Sequence, residues 1–184
     1  MKNMSNAVRG FTLIELMMTL SIAALLITFA VPSYNTFTKN SKLTKQVNLL
    51  AGSVSAARGE AAKRGSSVTL CQTTDPDPSD GSDPVCGGTA GTWSAGWIIF
   101  VDLDTDGEID TSAPADTIVN VFQAEKGAII KTTAGASLSF NPDGTTTSGT
   151  SLFAVCDDRG VSHGKQLDVS GTGRPSTGNA TSCG

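Results

Sequence analysis

The side chains best suited to chemistry fall in one short run: Asp102, Asp104, Asp106, Gly107 and Asp110. The spacing D-x-D-x-D-G-x-I opens an EF-hand calcium loop, where alternating carboxylates turn hard oxygen ligands toward one cation. In that pattern Gly107 makes the sharp turn and Ile109 takes the apolar position. The bidentate Glu expected at the twelfth position is missing, because Ala113 stands there. The rival reading is a hairpin turn made by Asp and Gly alone, with acids that repel one another at an exposed tip. Calcium is the only bound group that the sequence suggests, and the two readings remain open.

A second group of interest is Glu15, the one ionisable residue among the 21 from Phe11 to Val31. A carboxylate in hydrocarbon costs several kcal/mol unless it is paired or protonated, so its position suggests a role. It can find a cationic partner, or it can reach the headgroups and do nothing more. Other chemistry is poorly served. The four Cys contain no C-x-x-C pair and the one His is His163, which argues against zinc. His163 follows Asp157 and Asp158, but no Ser, Thr or Cys nucleophile sits in a recognisable elbow. The glycines around Gly171 and Gly173 lack the Lys and Ser/Thr of a phosphate loop. No feature of the sequence argues for catalysis, and the chain reads as a non-enzyme.

The elements that position these groups divide the 184 residues into an appendage and one domain. Residues 11–35 read as an apolar helix, since 21 residues at about 1.5 Å each span roughly 31 Å, enough to cross a bilayer. A secretory signal would be shorter and followed by a small-residue cleavage site, whereas here Pro32 follows and the pattern continues. Leu43, Val47, Leu50, Val54, Ala57 and Ala61 form a helical stripe. Residues 36–65 therefore extend the same helix as an amphipathic half ending at Gly65, for a total of close to 80 Å. Such a helix needs lipid or copies of itself around one half and its own domain against the other.

Residues 66–184 read as a β-rich head. Runs at Val68 to Gln72, Trp97 to Asp102, Thr117 to Phe122, Ile129 to Thr132, Ser137 to Phe140, Leu152 to Cys156 and Gln166 to Val169 are separated by turn residues. Seven short strands suit a β-sandwich or two antiparallel sheets on the amphipathic half-helix, an α+β architecture. Residues 73–92 form a polar loop. The formal charge of −4 is uneven: residues 36–64 hold six bases against Glu60, and residues 75–116 hold ten acids and no base. That balance argues against wholesale wrapping of nucleic acid but leaves room for a local basic patch.

Gly10 followed by Phe11-Thr12-Leu13-Ile14-Glu15, with Lys2 and Arg9 before it and Pro32 as the twenty-second residue counted from Phe11, resembles the N-terminal signal of type IV pilins and type II secretion pseudopilins. The resemblance implies a leader, residues 1–10, removed by an inner-membrane prepilin peptidase between Gly10 and Phe11, with methylation of the new Phe11 amine. It implies that Glu15 pairs with the Phe11 ammonium of a neighbouring subunit and that Pro32 shapes the assembly helix. It also implies a single-pass inner-membrane protein with a periplasmic head, which moves into a pilus or pseudopilus on assembly. A head outside the cytoplasm suggests disulfides. Of the three pairings, the sequential one is expected: Cys71 with Cys86 and Cys156 with Cys183.

The stretch Trp93-Ser94-Ala95-Gly96-Trp97-Ile98-Ile99-Phe100-Val101-Asp102, then Leu138-Ser139-Phe140-Asn141-Pro142-Asp143-Gly144 and Gly173-Arg174, is similar to the head of GspH/FimT-type minor pilins and pseudopilins, a family that uses the Asp-rich stretch as a turn. This implies a minor, non-enzymatic subunit of an initiation or tip complex, with other minor pilins and the major pilin as partners. A type II secretion pseudopilin is the alternative, and a DNA-binding minor pilin for natural transformation is another. Some FimT-like proteins resemble the latter through a Gly-Arg-x-Arg motif, but here Gly173-Arg174 is followed by Pro175-Ser176. The DNA-binding candidates are Arg174 and Lys165, with Arg159 nearby in sequence. Residues 126–184 carry five bases against four acids, so DNA is not the favoured partner.

Overall fold

The computed structural model describes residues 10–110 and 115–184. The leader expected over 1–10, apart from Gly10, and Ala113 therefore lie outside the described residues. The chain forms two units, Met1–Lys39 and Asn40–Gly184.

Helix α1 runs over Leu13–Arg64 and contains Pro32. It begins two residues later than Phe11 because Thr12 acts as the N-cap. The Thr12 Oγ1 accepts from Glu15 N at 3.3 Å, and Glu15 Oε2 accepts from Thr12 N at 3.5 Å and from Thr12 Oγ1 at 3.3 Å. This reciprocal pattern is a capping box. The helix stops at Gly65, whose φ of 67° few other residues tolerate and whose N–H closes on Ala61 O at 2.9 Å. Within the first unit, the large apolar side chains from Leu13 to Phe37 each expose more than half of their surface. No face of that segment is internal to its own fold, which is what the all-round apolar sequence requires of a helix solvated from outside.

Among the described residues, the second unit holds the α1 residues from Asn40 and eight strands: β1 (Val68–Thr73), β2 (Gly96–Val101), β3 (Thr117–Gln123), β4 (Ile129–Thr132), β5 (Ser137–Phe140), β6 (Ser151–Cys156), β7 (Lys165–Val169) and β8 (Pro175–Asn179). They form two four-stranded antiparallel sheets in the orders β3-β2-β1-β5 and β4-β6-β7-β8. The expected fold class is therefore present, with β8 as an eighth strand. β8 carries no large apolar residue and starts on Pro175, which needs no ladder donor at a strand's first position.

Alternation decides where the core sits. Val68 and Leu70 of β1, and Trp97, Ile99 and Val101 of β2, point toward the α1 stripe of Leu43, Val47, Leu50, Val54, Ala57 and Ala61. Phe153, Val155, Leu167 and Val169 of the second sheet complete the same core. Trp93 lies fully buried at its centre, with Nε1 donating to Gly135 O at 3.0 Å and its ring edge-on to Phe153 at 5.1 Å. The opposite faces of β1 and β2 bury a second, smaller cluster: Cys71, Ile98 and Phe100, covered by Cys86, Ile109, Ile118 and Val121. The first sheet is thus covered on both faces, and its outer cover is the Cys86 loop together with the Asp-rich loop.

Candidate functional site

Asp102 follows β2 on the side of the strand that carries Ile98 and Phe100, so its side chain belongs with the outer face of the first sheet. Its N–H donates to Ser67 O at 3.0 Å, and the residue is fully buried. Thr69 Oγ1 donates to Asp102 Oδ2 at 2.7 Å, and Gly107 N donates to the same oxygen at 3.1 Å. The loop can lie this close only because residue 107 is glycine. Its φ is 83°, and a Cβ there would stand 2.8 Å from Ser137 Oγ. Thr105 also takes a left-handed φ, 65°.

The second oxygen, Asp102 Oδ1, has no hydrogen-bond partner although it is buried. Burial holds the Asp102 carboxyl above the ordinary carboxylate range; the Thr69 hydroxyl and the backbone N–H groups of Thr105 and Gly107 oppose that rise, and the charge of Asp116 adds to it. One carboxylate oxygen from each of Asp102, Asp104 and Asp106 lies within 4.8 Å of the other two, with Asp104 and Asp106 exposed. Asp110 joins them electrically: its carboxyl is also held up, by partial burial first and then by Asp104, Asp106 and Asp116. Asp116 braces the loop from behind, accepting from Leu103 N and Asp110 N at 3.1 Å each. No ion pair with Lys or Arg reaches this group among the described residues.

The candidate DNA-binding residues are not brought together. Lys165 opens β7 and donates to Asn179 Oδ1 at 3.0 Å, whereas Arg174 sits past the other end of that strand, exposed in the β7–β8 turn. Five residues of strand separate the two ends by roughly 13 Å. Arg159 is committed elsewhere, forked onto Asp157 with a closest approach of 2.7 Å and donating to Asn40 Oδ1 at 2.9 Å. His163 lies in a short 3-10 turn, exposed, with Nδ1 at 3.0 Å from Ser162 Oγ.

The cysteines form Cys71–Cys86 and Cys156–Cys183, with Cα–Cα distances of 5.5 and 5.9 Å. The first ties the long polar loop to the outer face of β1. The second ties the C-terminal segment to the end of β6. Gly144 and Gly173 meet against α1: Arg58 Nε donates to Gly144 O at 3.1 Å, and a Cβ on Gly173 would collide with that same carbonyl. These glycines have φ of 81° and 72°.

Sequence reasoning missed two features. The capping box Thr12-x-x-Glu15 was visible in its S/T-x-x-E spacing and gives Glu15 a local partner at the helix start. The buried Asp102 was hidden, because nothing in a run of acids tells which one a sheet and a loop will enclose.

Comparison with known proteins agrees with this architecture. A family model for type II transport protein GspH matches residues 46–173, well over half of the chain, and a model for the prokaryotic N-terminal methylation motif matches residues 5–31. A search of curated proteins finds no match. Two crystal forms of the type IV minor pilin FimU from Pseudomonas aeruginosa PAO1 share the fold. One aligns with a TM-score of 0.60 at 20% identity, covering 80% of this chain and 99% of FimU. The other aligns with a TM-score of 0.57 at 19% identity, covering 77% and 100%. With the α1 stripe from Val47 onward, strands β1 to β7 and the Trp93 to Asp102 segment inside the matched region, the chain belongs to the GspH family of pilin-like proteins and carries the N-terminal methylation motif.

Proposed function

We propose that this chain is a minor pilin, a structural subunit of the initiation or tip complex of a type IV pilus. The observation that carries the reading is the mainly apolar surface from Leu13 to Phe37, exposed on every side of α1, whose one charged residue is Glu15. The helix is long and apolar enough to cross a membrane. After assembly the same surface is suited to other pilin helices, because a segment apolar all round buries itself equally well in lipid or in a bundle. The head, with its core closed by the second half of the helix, would be carried outside the inner membrane. Processing by prepilin peptidase would cut between Gly10 and Phe11 and methylate Phe11. Glu15 would then leave its cap on Thr12 for the Phe11 ammonium of a neighbour, which removes two charges from a low-dielectric environment and sets the axial stagger. Twitching, adhesion or DNA uptake would follow from the filament, and the fold needs no enzymatic activity for that work.

The test replaces the chromosomal copy with Glu15→Ala. Cleavage at Gly10 to Phe11 should remain intact, while the protein disappears from sheared filaments and surface pili decline. Normal incorporation of the variant refutes the pairing role. Unchanged pili with failed export of secreted enzymes would instead place the chain in a type II secretion pseudopilus.

A further inference from the structure

Three carboxylates that each place an oxygen within 4.8 Å of the other two, with no Lys or Arg paired to them among the described residues, need an explanation beyond a turn. Exposed acids in a turn cost little, since water screens them. Asp102 is different, because it is fully buried and only one of its oxygens is used. A buried carboxylate oxygen without a donor forfeits its hydration for nothing, a cost that native structures rarely carry without a ligand. The turn itself does not require it. Thr69 and Gly107 already hold the loop through Oδ2, and an amide or hydroxyl at position 102 would serve them as well.

We infer that Asp102, Asp104 and Asp106 form a calcium site on the outer face of the first sheet, with Asp102 Oδ1 as its buried inner ligand. Calcium takes six to eight oxygens at about 2.3–2.6 Å, so oxygens on opposite sides of one ion stand about 4.6–5.2 Å apart. The three carboxylates each place an oxygen within 4.8 Å of the other two, inside the widest separation that one calcium ion can bridge. A group made of Asp carboxylates alone supplies hard oxygen ligands, which favour calcium over transition metals. Magnesium is disfavoured, because it demands near-octahedral geometry at shorter distances and gives up its water reluctantly. Backbone carbonyls of the loop and water supply the remaining ligands, and Asp110 adds negative charge beside them. Bound calcium would lock the loop over Thr69, Ser137 and Ser139, stiffening the outer cover of the sheet.

The test uses the full chain in detergent micelles, titrated with calcium chloride by calorimetry and followed by thermal melting. One site is expected, with a dissociation constant of about 0.1–1 mM, as for extracellular modules with incomplete ligand sets. About 10 mM calcium should raise the melting temperature by several degrees through mass action. The double variant Asp104→Ala, Asp106→Ala changes only exposed side chains, so it should fold normally in chelator yet bind at least tenfold more weakly. Asp80→Ala with Asp83→Ala, which removes two acids from the other loop, should bind like the parent. The inference is overturned by any of three results: no heat and no melting shift at about 10 mM calcium, an equal shift with magnesium, or full binding retained in the Asp104→Ala, Asp106→Ala variant.

Discussion

Replacing each cystine by a pair of alanines tests how much of the head's stability is topological. The bonds close 15 and 27 residues of sequence. On the loop-entropy relation these closures are worth about 3.0 and about 3.6 kcal/mol at 25 °C. The full value applies only if the native contacts hold both ends in place without the bond, and here they do. Gly87 N donates to Gln72 O at 2.9 Å, which keeps residue 86 beside β1. Ala180 N donates to Gly164 O at 3.0 Å and Thr181 N to Gln166 Oε1 at 3.3 Å, which brings the tail to within two residues of Cys183. For a domain of this size each kcal/mol moves the midpoint by about 2–4 °C. The Cys71→Ala, Cys86→Ala variant should therefore melt about 6–12 °C lower, and the Cys156→Ala, Cys183→Ala variant about 7–14 °C lower. Near-ultraviolet circular dichroism of the full chain in micelles reads this directly, because the chain's two tryptophans, Trp93 and Trp97, are both buried in the head core. A shift below about 2 °C for either pair, or a clearly larger loss for the shorter loop, refutes the loop-entropy reasoning.

The meeting of Gly173 with Gly144 sets another test. Gly173→Ala forces a left-handed backbone and a collision with a carbonyl that Arg58 also binds, so a loss of about 2–4 kcal/mol is expected in urea unfolding, and a neutral result would show that the turn relaxes freely. For nucleic acid, the separated Lys165 and Arg174 and the committed Arg159 should give no retardation of double-stranded DNA by the full chain at physiological salt. Arg174→Ala should disturb DNA uptake only where it also disturbs piliation, and tight, salt-sensitive binding lost in that variant with pili intact would make the protein a DNA receptor.

The N-terminal third of the chain was legible because its physics is one-dimensional. A mainly apolar run whose one charged residue is Glu15, and then a stripe at Leu43, Val47, Leu50, Val54, Ala57 and Ala61, fix a helix and the side it buries before any partner is known. The seven expected strands carry enough Val, Ile, Leu or Phe to show themselves. β8 does not, since Pro175-Ser176-Thr177-Gly178-Asn179 is held by ladder bonds to β7 and not by packing. Two antiparallel sheets were expected, but which strand joins which sheet was invisible. β4 is followed by β5, yet the first joins β6 and the second joins β1, a choice made by long-range pairing through Thr92, Trp93 and the strands around them.

The acidic run shows why a local pattern left its own question open. Read along the chain, Asp102, Asp104 and Asp106 are equivalent, and the missing Glu at the twelfth position weighs against calcium for all three alike. Folding breaks the equivalence. Alternation on β2 turns Asp102 to the face of Ile98 and Phe100, Thr69 of the neighbouring strand β1 meets it, and Gly107 folds the loop down until the carboxylate is sealed. The two exposed acids can satisfy themselves with water, but the sealed one cannot. What was a question about loop spacing becomes a question about one buried oxygen, and only a sheet partner some thirty residues away in sequence could have posed it.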